Sequence, residues 1–112
     1  MSREILPARR RSETFDFEHV NASYMSFKYR ATVGFYDDGR PGEVFLNAAK
    51  ITTDMDIAAR DAAILLSFAL QTGVDAERVR ASMTRDPDGR PLGVIGTLLD
   101  LIAGQRKEPV DG

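Results

Sequence analysis

The hydrophobic period of this chain changes once, near residues 49–56, and that change divides it into two kinds of structure. A period of two puts alternate side chains on opposite faces of a strand, whereas helices repeat every 3.6 residues. In Ser12–Glu18, "SETFDFE", Phe15 and Phe17 face one way and Thr14, Asp16 and Glu18 the other. After a loop at "VNAS", residues 24–36 resume the alternation. Phe27, Tyr29, Ala31, Val33 and Phe35 share one face, and Lys28, Arg30 and Thr32 the other. "DDGRPG" has turn chemistry, and "EVFLNA" reads as a third strand. Short connections favour antiparallel neighbours, so the first half reads as a meander.

Beyond the change, "DIAARDAAILLSFALQTG" is rich in strong helix formers. Thr53, Asp54 or Asp56 can cap its start, and Gly73 stands where a C-terminal cap belongs. "DAERVRASM" reads as a shorter helix capped by Asp75. After the turn "RDPDGRP", a last helix is expected from Pro91, at its first position, to a stop at Gly104. The order predicts an α+β fold: a three-stranded antiparallel meander followed by two or three helices on one sheet face. Residues 1–11 read as a flexible basic arm, 12–104 as one domain and 105–112 as a polar tail. No internal repeat or low-complexity tract is seen.

Composition narrows the chemistry. With 112 residues the chain suits a single domain, and its net charge of −2 gives no overall field for nucleic acid. Cysteine is absent, so disulfides, thiolate metal sites and cysteine nucleophiles are excluded. No apolar run reaches the roughly 18 residues of a membrane span, and "MSREILPARRR" lacks the core of a secretion signal. A cytoplasmic location is expected.

Few residues suggest a site. His19, the single histidine, has no partner for zinc and reads as a surface or hydrogen-bonded side chain. Asp54, Asp56 and Asp61 lack the spacing of a calcium loop and suit a helix start. "GVIG", residues 93–96, has the G-x-x-G spacing of a nucleic-acid clamp, but Val94 and Ile95 inside it favour close helix packing. No phosphate loop or nucleophile elbow occurs, and no metal, cofactor or catalytic residue is assigned. Arg9, Arg10 and Arg11, with Lys50 and Arg60, are the candidate anion- or nucleic-acid-binding residues. Arg85 and Arg90 flank turns and could join them.

Several segments together resemble a known family. "RRRSETFDF", "YRATVGFYDDGRPGEVFL", "AARDAAILLSFALQTGV" and "RDPDGRPLGVIGTLLDLI" span most of residues 9–102. In that order they resemble the TSCPD-type domain at the C-terminus of adenosylcobalamin-dependent (class II) ribonucleotide reductases. The Thr-Ser-Cys-Pro-Asp signature is missing; the corresponding junction reads "KITTDMD", residues 50–56. The reductase's catalytic barrel is missing too. The resemblance implies a free-standing, non-catalytic accessory or assembly module, with a reductase as a partner. The alternative is a small nucleic-acid-binding module that uses the arginine arm. A small hydrolase ranks third.

Self-association, most simply as a homodimer, is also expected. Ile57, Ile64, Leu65, Leu66, Phe68 and Leu70 spread around one helix, and the last helix is apolar on most sides. Such helices need cover on more than one side, and two-fold pairing is the commonest solution. Leu66, Leu70, Ile95 and Leu99 are the expected interface residues. Leu66→Glu is the substitution expected to split the dimer, because Leu66 lies off the Ile64, Leu65 and Phe68 stripe.

Overall fold

A computed structural model describes residues 11–48 and 53–106, with the side chains of 105 and 106 left aside. Of the basic arm only Arg11 falls within that range, and Arg9, Arg10 and Lys50 lie outside it. Three strands, β1 (Ser12–Val20), β2 (Ser26–Phe35) and β3 (Pro41–Ala48), precede three helices, α1 (Asp54–Gln71), α2 (Ala76–Ser82) and α3 (Val94–Arg106). The strands form one antiparallel sheet in the order β1-β2-β3. The fold is α+β, a meander with helices on one face.

Register explains which face is covered. Opposed residues in an antiparallel pair share a face. Phe15 pairs with Ala31, Ala31 with Leu46, and Val33 with Val44, and all are buried. On the other face Thr14, Thr32 and Phe45 form one row, and Asp16, Arg30 and Asn47 the next. Asp16 accepts two hydrogen bonds from Arg30 there, at 2.7 and 3.1 Å, while Phe45 is exposed. The covered face meets Leu66 and Leu70 of α1 and Leu98, Leu99 and Ile102 of α3 in one core.

α1 also covers part of one edge of the sheet, that of β3. A bare edge strand offers unpaired N–H and C=O groups to other chains. Here Val44 N–H donates to Ser67 Oγ at 2.8 Å, and Ser67 Oγ donates to Val44 O at 3.1 Å. Gln71 Nε2 donates to Gly42 O at 2.8 Å. The helix therefore contributes polar side chains as well as its apolar stripe to β3.

Helix ends follow local chemistry, with two departures from expectation. Thr53 is the N-cap of α1, since its Oγ1 accepts from Asp56 N–H at 3.1 Å. Asp54 and Asp56 lie inside the first turn. Beyond Thr72, Gly73 takes φ +96°, Gly73 N–H donates to Leu70 O, and Val74 N–H donates to Ala69 O. That paired closure satisfies the last carbonyls of α1. Asp75 caps α2 as expected. Pro91, by contrast, does not start α3: it forms a β-bridge with Arg85, and the helix begins three residues later. Nor does Gly104 stop α3, which continues to Arg106. A glycine weakens a helix by only about 1 kcal/mol, and Leu98, Leu99 and Ile102 anchor this one in the core.

The tetrapeptide Asp-Gly-Arg-Pro occurs twice, at 38–41 and 88–91, and builds the same turn each time. Tyr36 N–H donates to Arg40 O at 2.8 Å, and Asp86 N–H donates to Arg90 O at 3.0 Å. Gly39 and Gly89 both take φ near +90°. Their neighbours differ. Arg40 donates to Asp38 and lies over the Tyr36 ring, whereas Arg90 reaches across to the β1–β2 hairpin.

Candidate functional site

Two surfaces carry features that the fold alone does not require. The first is the solvent side of α1. Its core side presents Asp56, Ala59, Ala63, Leu66 and Leu70, at helical spacing. Small alanines let the helix lie close to the sheet. The large residues Ile57, Ile64, Leu65 and Phe68 point outward, and each is about half exposed or more, Leu65 most at 68%. Ile57, Asp61, Ile64 and Phe68 fall on one line of the helix, at i, i+4, i+7 and i+11, with Leu65 beside them.

This arrangement corrects the expected interface. Leu66, Leu70 and Leu99 are buried within the single chain, each at most 5% exposed. Ile95 is half-buried and packs against the same core. These residues hold the monomer together. The sequence places apolar residues on both sides of α1, and periodicity does not say which side meets the sheet.

The second surface is a cleft of about 300 Å³ between the start of α1 and the segment leading into α3. Met55, Ala58 and Ala62 form one wall, Met83, Leu92 and Ile95 the other, and His19 and Tyr29 also line it. His19 Nδ1 and Thr97 Oγ1 share a hydrogen bond at 2.8 Å. Burial pushes the imidazole pKa below its ordinary value; a bond to the Leu92 backbone opposes that shift, and the Arg90 charge adds to it. His19 is therefore held neutral, as a tie between β1 and α3. Its phase with Phe15 and Phe17 on the inward face was the sequence signal for an interior position.

Tyr29, on the central strand, is 4% exposed and stacks on Phe17 with ring centroids 5.9 Å apart. Burial raises its pKa, and the negative charge of Asp56 raises it further, so the hydroxyl stays protonated. Among the described residues no hydrogen bond reaches that hydroxyl.

Among the described residues the basic side chains Arg11, Arg60, Arg85 and Arg90 are not assembled into one open face. Arg11 lies over the Phe35 ring at 4.3 Å, with its Nε 3.3 Å from Glu13. Arg85 binds Asp100. Arg90 Nε donates to Asp86 at 3.2 Å, its Nη1 donates to Val20 O at 2.8 Å, and it stacks over Tyr24 at 4.7 Å. Arg60 is exposed on α1, beside the outward apolar line. "GVIG" is split between roles: Gly93 precedes α3, while Gly96 lies within it against Pro91 and Met83. Among the described residues no group of three or more His, Asp or Glu side chains is placed to hold a metal ion. No described helix is long and apolar enough to cross a membrane.

Comparison with known proteins adds no relative: no family model, curated protein or solved structure matches the chain.

Proposed function

We propose that the chain is a non-catalytic assembly module that pairs through the outward side of α1, first with a second copy of itself. The observation that carries this is the line of Ile57, Ile64, Leu65 and Phe68, large apolar side chains left in water on the helix that also organises the core. Exposed large apolar side chains grouped on one helix face, here Ile64, Leu65 and Phe68 with Ile57 beyond Asp61, mark an interaction site more often than a plain surface does. A two-fold contact between two α1 helices buries the same line on both copies. The sequence resemblance makes a class II ribonucleotide reductase the second partner to test.

Light scattering at micromolar concentration tests the pairing. The expected mass is that of a dimer for the native chain and of a monomer for Leu65→Glu, which should still unfold cooperatively in urea but at a midpoint independent of protein concentration. Leu66→Glu does not serve, because it puts a charge in the core and unfolds the monomer. A native chain that is monomeric, and that also fails to co-elute with a purified class II reductase, overturns the proposal.

A further inference from the structure

We propose that the cleft between α1 and the start of α3 binds a small monocarboxylate with an apolar body, its head group held by the first-turn amides of α3 and the Tyr29 hydroxyl. The first three N–H groups of any α-helix lack partners inside the helix. Here they belong to Val94, Ile95 and Gly96, and the residue before them, Gly93, has no side chain to cap them. Among the described residues none of the three finds an acceptor, and the first bond of the helix is Thr97 N–H to Gly93 O at 3.2 Å. Gly96 is itself buried. An uncapped helix start carries partial positive charge and favours an anion.

The hydroxyl of Tyr29 is an independent observation. A buried polar group without a hydrogen bond costs stability, and native structures leave few of them. Tyr29 lines the same cleft as Gly93, Val94, Ile95 and Gly96. A carboxylate accepts from amides and hydroxyl together and would satisfy donors left open among the described residues. Asp56, whose charge acts on Tyr29, does not line the cleft, so its field weakens carboxylate binding at the hydroxyl while its side chain leaves the space free.

The walls set the rest of the ligand. Ala58 and Ala62 leave room along α1, and Met55 and Met83 are pliable side chains at its margins. About 300 Å³ is the low end of small-ligand cavities, enough for one ring or a short branched chain. Among the described residues no Lys or Arg lines the cleft, which favours a single negative charge over phosphate esters and dicarboxylates.

The test uses the full isotope-labelled chain and three probes of one shape: phenylacetate, phenylacetamide and phenethylamine. Phenylacetate is expected to shift the amide resonances of Val94, Ile95 and Gly96 saturably, with contacts from its ring to the Ala58 and Ala62 methyls. Phenylacetamide and the Tyr29→Phe variant should each weaken binding about tenfold, the effect of one hydrogen bond. Ala62→Leu should abolish it by filling the cleft. The methyl contacts are read on the native chain, so they stand even if a variant fails to fold. Absence of saturable shifts with phenylacetate in the millimolar range overturns the proposal, as does tighter binding of phenethylamine.

Discussion

Arg85 holds the Asp100 carboxylate at two points, its Nη1 donating to Oδ2 at 2.9 Å and its Nη2 to Oδ1 at 2.8 Å. Arg80 Nε donates to Oδ1 as well, at 2.8 Å. One carboxylate on α3 thus gathers α2 and the turn that follows it. The Arg85 hydrogen bonds hold the Asp100 carboxyl below the ordinary carboxylate range, partly opposed by burial. A carboxyl with a lowered folded pKa contributes stability above its unfolded pKa and loses it as pH falls through the folded one. Asp100→Asn should therefore lower the urea midpoint at neutral pH. The deficit should begin to shrink as pH is taken below about 3.9, where the unfolded carboxyl takes up its proton, and should vanish only as pH falls through the lower folded pKa. A deficit of equal size at neutral and strongly acid pH would falsify this role.

The two glycines of α3 should respond in opposite ways. A Cβ on Gly96 would meet Pro91 Cβ at 2.9 Å and Met83 Cβ at 3.3 Å, and a proline ring has little room to give. Gly96→Ala should cost about 1–3 kcal/mol by overpacking. At Gly104 a Cβ meets nothing within 4 Å, so Gly104→Ala should add about 0.5–1 kcal/mol through helix propensity. Chemical denaturation of both variants checks the pair, and equal effects would show that close approach at Gly96 is unimportant.

At the start of α1 the cap is a hydroxyl. Thr53→Ala should cost about 0.5–2 kcal/mol. Asp54→Ala should cost only the favourable charge on the helix dipole, about 0.3–1 kcal/mol. Thr53→Asp should recover most of the loss, since aspartate caps equally well. If Asp54→Ala proves the more harmful change, the cap has been misassigned.

Acid should also act through His19. Its folded pKa lies below the ordinary 6.5, first because of burial. The unfolded chain therefore binds a proton that the folded chain refuses as pH drops below that value. The stability tied to neutral His19 is complete above about 6.5 and declines as pH falls from there through the folded pKa. His19→Gln should be less stable near pH 8 and should lack that part of the decline. Titration of the imidazole by NMR gives the folded value directly, and one above 6.5 would reverse the argument.

Much of the fold was readable because its causes are local. Alternation at Phe15, Phe17 and Tyr29 reports a half-buried strand without reference to anything distant, and Gly73 and Asp75 end and start helices by their own chemistry. Pro91 misled because the rule for first helical positions competes with a β-bridge to Arg85, which the sequence does not display. The faces of α1 were exchanged for a different reason. Burial there follows closeness of approach, so Ala59 and Ala63 go inward with Leu66 and Leu70, and Leu65 and Phe68 stay out. The cleft was hidden because its residues come from β1, β2, α1 and the 83–96 segment. No spacing within one segment brings Tyr29 to Gly96.

The two ties at the end of the β1–β2 hairpin bear on the order of assembly. His19 and Thr97 are 78 positions apart, and Arg90 and Val20 are 70 apart. The strand pairs, by contrast, join neighbours in sequence. Closing a longer loop costs more entropy, and distant contacts repay that cost only once they form. During synthesis the meander is free to pair as soon as it emerges, but His19 meets Thr97 only after the last helix has followed. Closure of the domain is timed by α3, and until then the hairpin end of the sheet stays open to solvent.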